Sequence, residues 1–156
     1  MKTASLKEIK TELNRVHPAR LLELCLQMAK FKKENKELLS YLLFDFYDEK
    51  AYIGAVKSQM DEQFSEINRS NVYLAKKSIR KILAATNKQI KFSGSQQTKL
   101  ELLIYFCKKL RKSGIPLPLN STLGKIYWRQ VQNAKVALST LHEDLQFDYS
   151  GEFSQL

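Results

Sequence analysis

Glycine, proline and cysteine are all scarce in this chain of 156 residues, at five, three and two. So few turn-formers leave long elements joined by short connections. Two isolated cysteines make neither a disulfide framework nor a metal cluster. Cys25 and Cys107 both fall on apolar helix faces and read as reduced core residues of a cytoplasmic protein. The two histidines, His17 and His142, lie far apart, each beside a helix boundary. No HExxH, CxxC, phosphate-binding glycine loop or GxSxG occurs, so the sequence points to no enzyme and no cofactor. The longest largely apolar run, "LLSYLLF", has seven residues, far short of the ~20 that cross a bilayer. The opening "MKTASLKEIKTEL" has no apolar signal core.

What is present is a globular composition, 44% hydrophobic and 27% charged, with a net charge of +10. The length suits one domain over residues 1–156, able to bury roughly 70% of its unfolded surface. The charge is unevenly spread. Residues 1–48 carry +2 and residues 49–70 carry −1, whereas residues 71–136 carry fourteen basic residues and one acid, Glu101. The last twenty residues hold four acids and no lysine or arginine. Globular surfaces usually mix signs, which makes this partition the most informative feature of the chain.

Apolar residues recur at helical spacing throughout. Leu6, Ile9, Leu13 and Val16 mark a first helix from Ser5 to about Val16, with Ser5 and Glu8 set as a capping box. Pro18 breaks it and suits the first turn of a second helix, about Ala19 to Phe31, which is apolar nearly all round. A third covers about Asn35 to Tyr47 and a fourth about Glu49 to Ile67. Ser70 or Asn71 in "NRSN" caps a fifth, which runs to about Phe92. "SGS" stops it and starts a sixth, to about Lys112. "IPLPLN" is too proline-rich to be helical, and Asn120 or Ser121 caps a seventh helix ending near Leu141. The acidic tail, residues 146–156, is expected either to fray or to dock as a strap. No alternation marks a strand. The expected fold is all-α, six or seven helices in antiparallel pairs, as a bundle or a short α-solenoid.

The opening segment "SLKEIKTELNRVHPARLLELCLQMAKFKKENKELLSYLLF" resembles that of uncharacterised bacterial helical proteins. These begin with a leucine- and lysine-rich helix, a short break and a second leucine-rich helix. A "KxNKEL"-type segment then leads into another apolar helix, as "KENKELLSYL" does here. The resemblance spans about 45 residues and implies a small helical bacterial protein. It carries over no site residues.

Two constellations merit attention. Asp45, Asp48 and Glu49 in "FDFYDEK" are spaced i, i+3, i+4 and could share a helix face that holds a divalent cation; the alternative is a solvated junction between helices. The stronger one is basic. On a wheel of about 100° per residue, Lys76, Lys77, Arg80, Lys81, Lys88 and Lys91 fall within a sector of roughly 140°, with Tyr73 inside it. The apolar residues of that helix lie opposite. No glutamate interrupts the cations, although Glu–Lys pairs would stabilise the helix and like charges do not. A face that accepts this repulsion is a candidate anion-binding face.

The sixth helix ends with Lys108, Lys109, Arg111 and Lys112, which also suit the negative end of its dipole. On the seventh, Lys125, Arg129 and Lys135 face away from Ile126, Leu138 and Leu141, and Trp128 borders them as either a core residue or a stacking platform. Together these faces predict a non-catalytic module that binds nucleic acid or another polyanion without strong sequence specificity. The acidic tail could fold back and screen part of the patch. The alternative is a protein-interaction scaffold for an acidic or apolar partner, in which Tyr41, Phe44, Phe46, Tyr47 and Tyr52 would form the docking cluster instead of core.

Overall fold

A computed structural model describes residues 2–156. Among the described residues the fold is all-α, with eight α-helices and no strand. The chain groups into two compact units, Met1–Phe44 and Asp45–Leu156.

The first unit holds α1 (Leu6–Leu13), α2 (Pro18–Phe31) and α3 (Lys33–Ser40). The capping box forms: Ser5 N–H donates to Glu8 Oε2 at 2.7 Å, and Glu8 N–H donates to Ser5 Oγ at 3.3 Å. Pro18 opens α2, and His17 caps it by accepting from Ala19 N–H at 3.3 Å. α2 packs on α3. An all-round apolar helix with one such neighbour leaves apolar groups in solvent, and Leu22, Met28 and Phe31 are 61%, 62% and 84% exposed. Cys25 is exposed too, which corrects its reading as a core residue. The third helix is shorter than expected, because a π-helical turn, Tyr41–Asp45, replaces its continuation to Tyr47.

The second unit contains α4 (Glu49–Ser65), α5 (Val72–Ser93), α6 (Gln96–Lys112), α7 (Thr122–Ser139) and α8 (Glu143–Phe153). Each of the first four begins with a short polar residue whose side chain accepts a backbone N–H: Asp48, Asn71, Ser95 and Ser121. Gly94, at φ 68°, ends α5 in the left-handed conformation that its missing Cβ makes cheap. α6 lies at the centre, packed by α4, α5 and α7. Its Leu100, Leu102, Leu103, Ile104, Phe106, Cys107 and Leu110 are all buried. Each such large apolar side chain contributes about 1.5–3 kcal/mol by leaving water. Ala134 and Ala137 of α7 let that helix approach closely, and Tyr149 and Phe153 of α8 cover the same cluster.

α8 is the additional helix. Of the two expectations for the tail, to fray or to dock, docking holds: it forms a helix capped by His142 that packs on α7. The "IPLPLN" connection is non-helical, as its prolines require. It returns against the start of α7 so closely that a Cβ on Gly124 would sit 1.9 Å from the Pro118 carbonyl oxygen. Ser121 ties the turn from both sides, donating to Pro118 O at 2.8 Å and accepting from Gly124 N–H at 2.9 Å.

Candidate polyanion-binding groove

The fourteen cations of residues 71–136 meet very different fates. Those of α6 are mostly engaged inside the protein. Lys109 Nζ lies 2.6 Å from Asp61 Oδ1, and the Tyr105 hydroxyl donates to both oxygens of that carboxylate at 2.8 Å. Burial pushes the Asp61 carboxyl up, but the hydrogen bonds from Lys109 and Tyr105 and the Lys109 charge outweigh it, so its pKa is lowered. The hydrogen bond to Asp61 raises that of Lys109 in return. Lys108 pairs with Glu152 of α8 at 2.8 Å. Arg111 Nη1 donates to the carbonyls of Gln155 and Leu156, each at 2.9 Å. The tail thus meets the basic cluster through one acid, Glu152, and through backbone carbonyls at Arg111. Lys112 is exposed and lines a separate cleft of about 260 Å³ with Asp61, Arg69 and Lys109.

On α5 and α7 most of the cations are exposed, Lys76 and Lys88 being half-buried. Between them runs a groove of about 420 Å³, lined by Arg80, Leu83, Ala84 and Asn87 of α5 and by Thr122, Lys125, Ile126 and Arg129 of α7. Arg80, Lys125 and Arg129 are exposed, and none has a carboxylate partner among the described residues. The groove is basic on both rims, apolar along its floor and free of any acid. Helical spacing explains the arrangement. The buried stripe of α5 is Ala75, Ile79, Ile82 and Thr86, and Arg80 and Asn87 lie about 100° beyond it on the side facing α7.

The remaining basic residues sort by the same geometry. Lys76 and Lys91 share the Arg80 side of α5, together with Tyr73, which is 71% exposed and has Lys76 Nζ 6.0 Å from its ring centroid. Lys77, Lys81 and Lys88 sit about 60–100° further round and do not line the groove. On α7, Trp128 and Lys135 are exposed but lie on the shoulder away from α5. Trp128 is 41% exposed and meets Tyr127 edge-on at 5.3 Å between centroids.

The carboxylate constellation divides. Asp48 caps α4 by accepting from Ala51 N–H, while Glu49 accepts hydrogen bonds from the hydroxyls of Ser93 and Thr98. Among the described residues no group of three His, Cys, Asp or Glu side chains is placed to hold a metal ion. Nor is any helix of them long and apolar enough to cross a membrane. Of the aromatic cluster, Tyr41 and Tyr52 are buried, whereas Phe44, Phe46 and Tyr47 are exposed.

Comparison with protein-family models, curated proteins and solved structures finds no match. The groove is therefore read from its own chemistry. What the sequence did not reveal is its polar fringe, Asn87 and Thr122, and its floor. Neither residue type stands out in a helix; each sits beside a cation of its own helix, Asn87 with Arg80 and Thr122 with Lys125, and the fold places the two sets around one groove.

Proposed function

We propose that the protein is a non-catalytic module that binds nucleic acid through the groove between α5 and α7, with Arg80, Lys125 and Arg129 neutralising backbone phosphates. The observation that carries this reading is three exposed cations, contributed by two helices, around one acid-free groove with no internal counter-ion. A solvated helix face needs no such convergence, and surface cations are ordinarily interspersed with acids. Lys76 and Lys91 extend the positive strip along α5. Phosphate contact accounts for most non-specific affinity through counterion release, so binding falls steeply with salt. About four phosphates neutralised predict a slope of log affinity on log salt near −3 for a single strand. Reversing Arg80, Lys125 and Arg129 to glutamate abolishes binding under this reading. Reversing Lys77, Lys81 and Lys135 changes net charge equally and has a smaller effect. Equal losses in the two triple variants would remove the groove as the site; no binding of any nucleic acid at low salt would remove the function.

A second reading is favoured by one observation in the first unit. α2, α3 and the π turn frame an apolar groove of about 160 Å³ lined by Cys25, Met28, Ala29, Leu38 and Leu42, and Leu22 and Phe31 of α2 are also exposed. Exposed apolar surface of this kind suits protein docking. A partner that resists nuclease treatment and is lost on Leu22→Glu with Met28→Glu would favour it. One released by nuclease would return the argument to α5 and α7.

A further inference from the structure

The groove between α5 and α7 has a feature that phosphate binding alone does not use. Between its basic rims lie the half-buried Leu83 and Ile126, an apolar floor, with the exposed Ala84 at the outer edge. A polyphosphate or the outer edge of a duplex presents only charged and sugar groups, which gain nothing from that floor. An unstacked base presents an apolar face of matching character together with polar edges. Asn87 supplies an amide and Thr122 a hydroxyl at the groove, both suited to such an edge. The volume, about 420 Å³, lies in the range of pockets that hold small ligands, and a duplex is too wide to enter it.

A second platform follows the same side of α5. Tyr73 stands seven residues before Arg80, so it lies on nearly the same face and about 10 Å away along the axis. The residue is 71% exposed, its hydroxyl has no hydrogen bond among the described residues, and Lys76 lies beside it. An exposed aromatic flanked by cations is how single-strand binders hold a base while neutralising the neighbouring phosphates.

We infer that the ligand is single-stranded nucleic acid, one base lying against Leu83 and Ile126 and another, two or three nucleotides along the strand, stacking on Tyr73 about 15 Å away along α5, with Lys76, Arg80, Lys125 and Arg129 on the phosphates. This rests on the groove being a nucleic-acid site, and the experiment separates the two claims. Fluorescence anisotropy is measured on the full chain at one low salt concentration with four labelled probes of about twelve units. These are an oligodeoxythymidine, an oligouridine, a mixed-sequence duplex and an abasic strand with the same phosphates.

The expected result is binding of the tighter single strand at least about tenfold stronger than duplex or abasic strand, since stacking of each base supplies a gain of that order. Tyr73→Ala lowers single-strand affinity about fivefold or more, leaves duplex and abasic binding unchanged, and is rescued by Tyr73→Trp. Equal affinity for abasic and intact strands, or an unaltered Tyr73→Ala protein, overturns this inference while leaving polyanion binding intact. Failure of all four probes overturns both. Tyr73 is exposed, so its replacement leaves the fold in place.

Discussion

Gly124→Ala is the sharpest test of how α7 is set, because the added methyl group has nowhere to go. Its carbon would lie 1.9 Å from the Pro118 oxygen, 2.7 Å from the Pro118 carbonyl carbon and 3.1 Å from the Leu117 oxygen. All three atoms are backbone, so no side-chain rotation relieves the clash. The "IPLPLN" connection and the first turn of α7 must separate by more than about 1 Å, and overpacking of this kind costs roughly 1–3 kcal/mol or more. Backbone displacement puts the expected loss at the upper end, about 3 kcal/mol, which lowers the melting temperature of a unit this size by about 10 °C. Urea unfolding followed by the fluorescence of Trp128, the only tryptophan and itself on α7, gives the change directly. The midpoint should fall with the slope unchanged. Gly54→Ala is the matched control. Gly54 is exposed within α4 and a methyl there meets nothing within 4 Å, so helix propensity alone should raise stability by roughly 0.5–1 kcal/mol. A loss below about 0.5 kcal/mol for Gly124→Ala would refute the close approach. Thr122 and Lys125 share this first turn, so under the proposed reading the variant should also weaken nucleic-acid binding more than its residual folded fraction explains.

Three further outcomes follow from the core and its polar contacts. Burial pushes the Cys107 thiol up to about 12, so an aromatic disulfide reagent should modify the exposed Cys25 at once and Cys107 only on unfolding; rapid release of two equivalents would contradict the α6 core. Burial, and then the hydrogen bond to Glu101, raises Tyr149 to about 12. Its stabilising effect is therefore complete below the ordinary tyrosine value of about 10 and is lost as pH rises towards the folded value. Unfolding midpoints should decline over that interval in the parent and less in Tyr149→Phe; parallel declines would sink the assignment. Asp61 titrates in the opposite sense. Its folded pKa is lowered, so its stabilisation is present above the ordinary carboxylate range and disappears as pH falls through the folded value. Asp61→Asn should be less stable at neutral pH, and the two proteins should converge in acid.

Helix chemistry was legible where it is local. Ser5 with Glu8, Asn71, Ser95 and Gly94 start or stop helices as their side chains and backbone freedom dictate, whatever packs around them. The third helix was not legible past Ser40, since a π turn in "YLLFD" leaves no mark in apolar spacing. The tail looked open-ended because "FDYSGEF" has weak periodicity and a glycine. Its helix depends on tertiary partners, Tyr149 with Glu101 and Gln97, and Glu152 with Lys108. The basic faces of α5 and α7 could be drawn on wheels, but wheels carry no information on which shoulder meets which. Hence Lys77, Lys81 and Lys135 were grouped with Arg80, Lys125 and Arg129, although only the latter three line the groove. Likewise the α6 cluster gave no hint that Asp61 and Glu152, 44 or more residues distant for Lys108, would reach it.

The central position of α6 also governs motion. With α4, α5 and α7 packed around it and its apolar side chains sealed from solvent, its amides should be the last in the second unit to exchange with deuterium. α5 and α7 each rest on that slow-opening helix, so the distance between their cations is held by what lies beneath them. The side chains of α6 thus act as a spacer gauge, and trimming Leu100 or Ile104 would change the spacing of cations that neither residue touches.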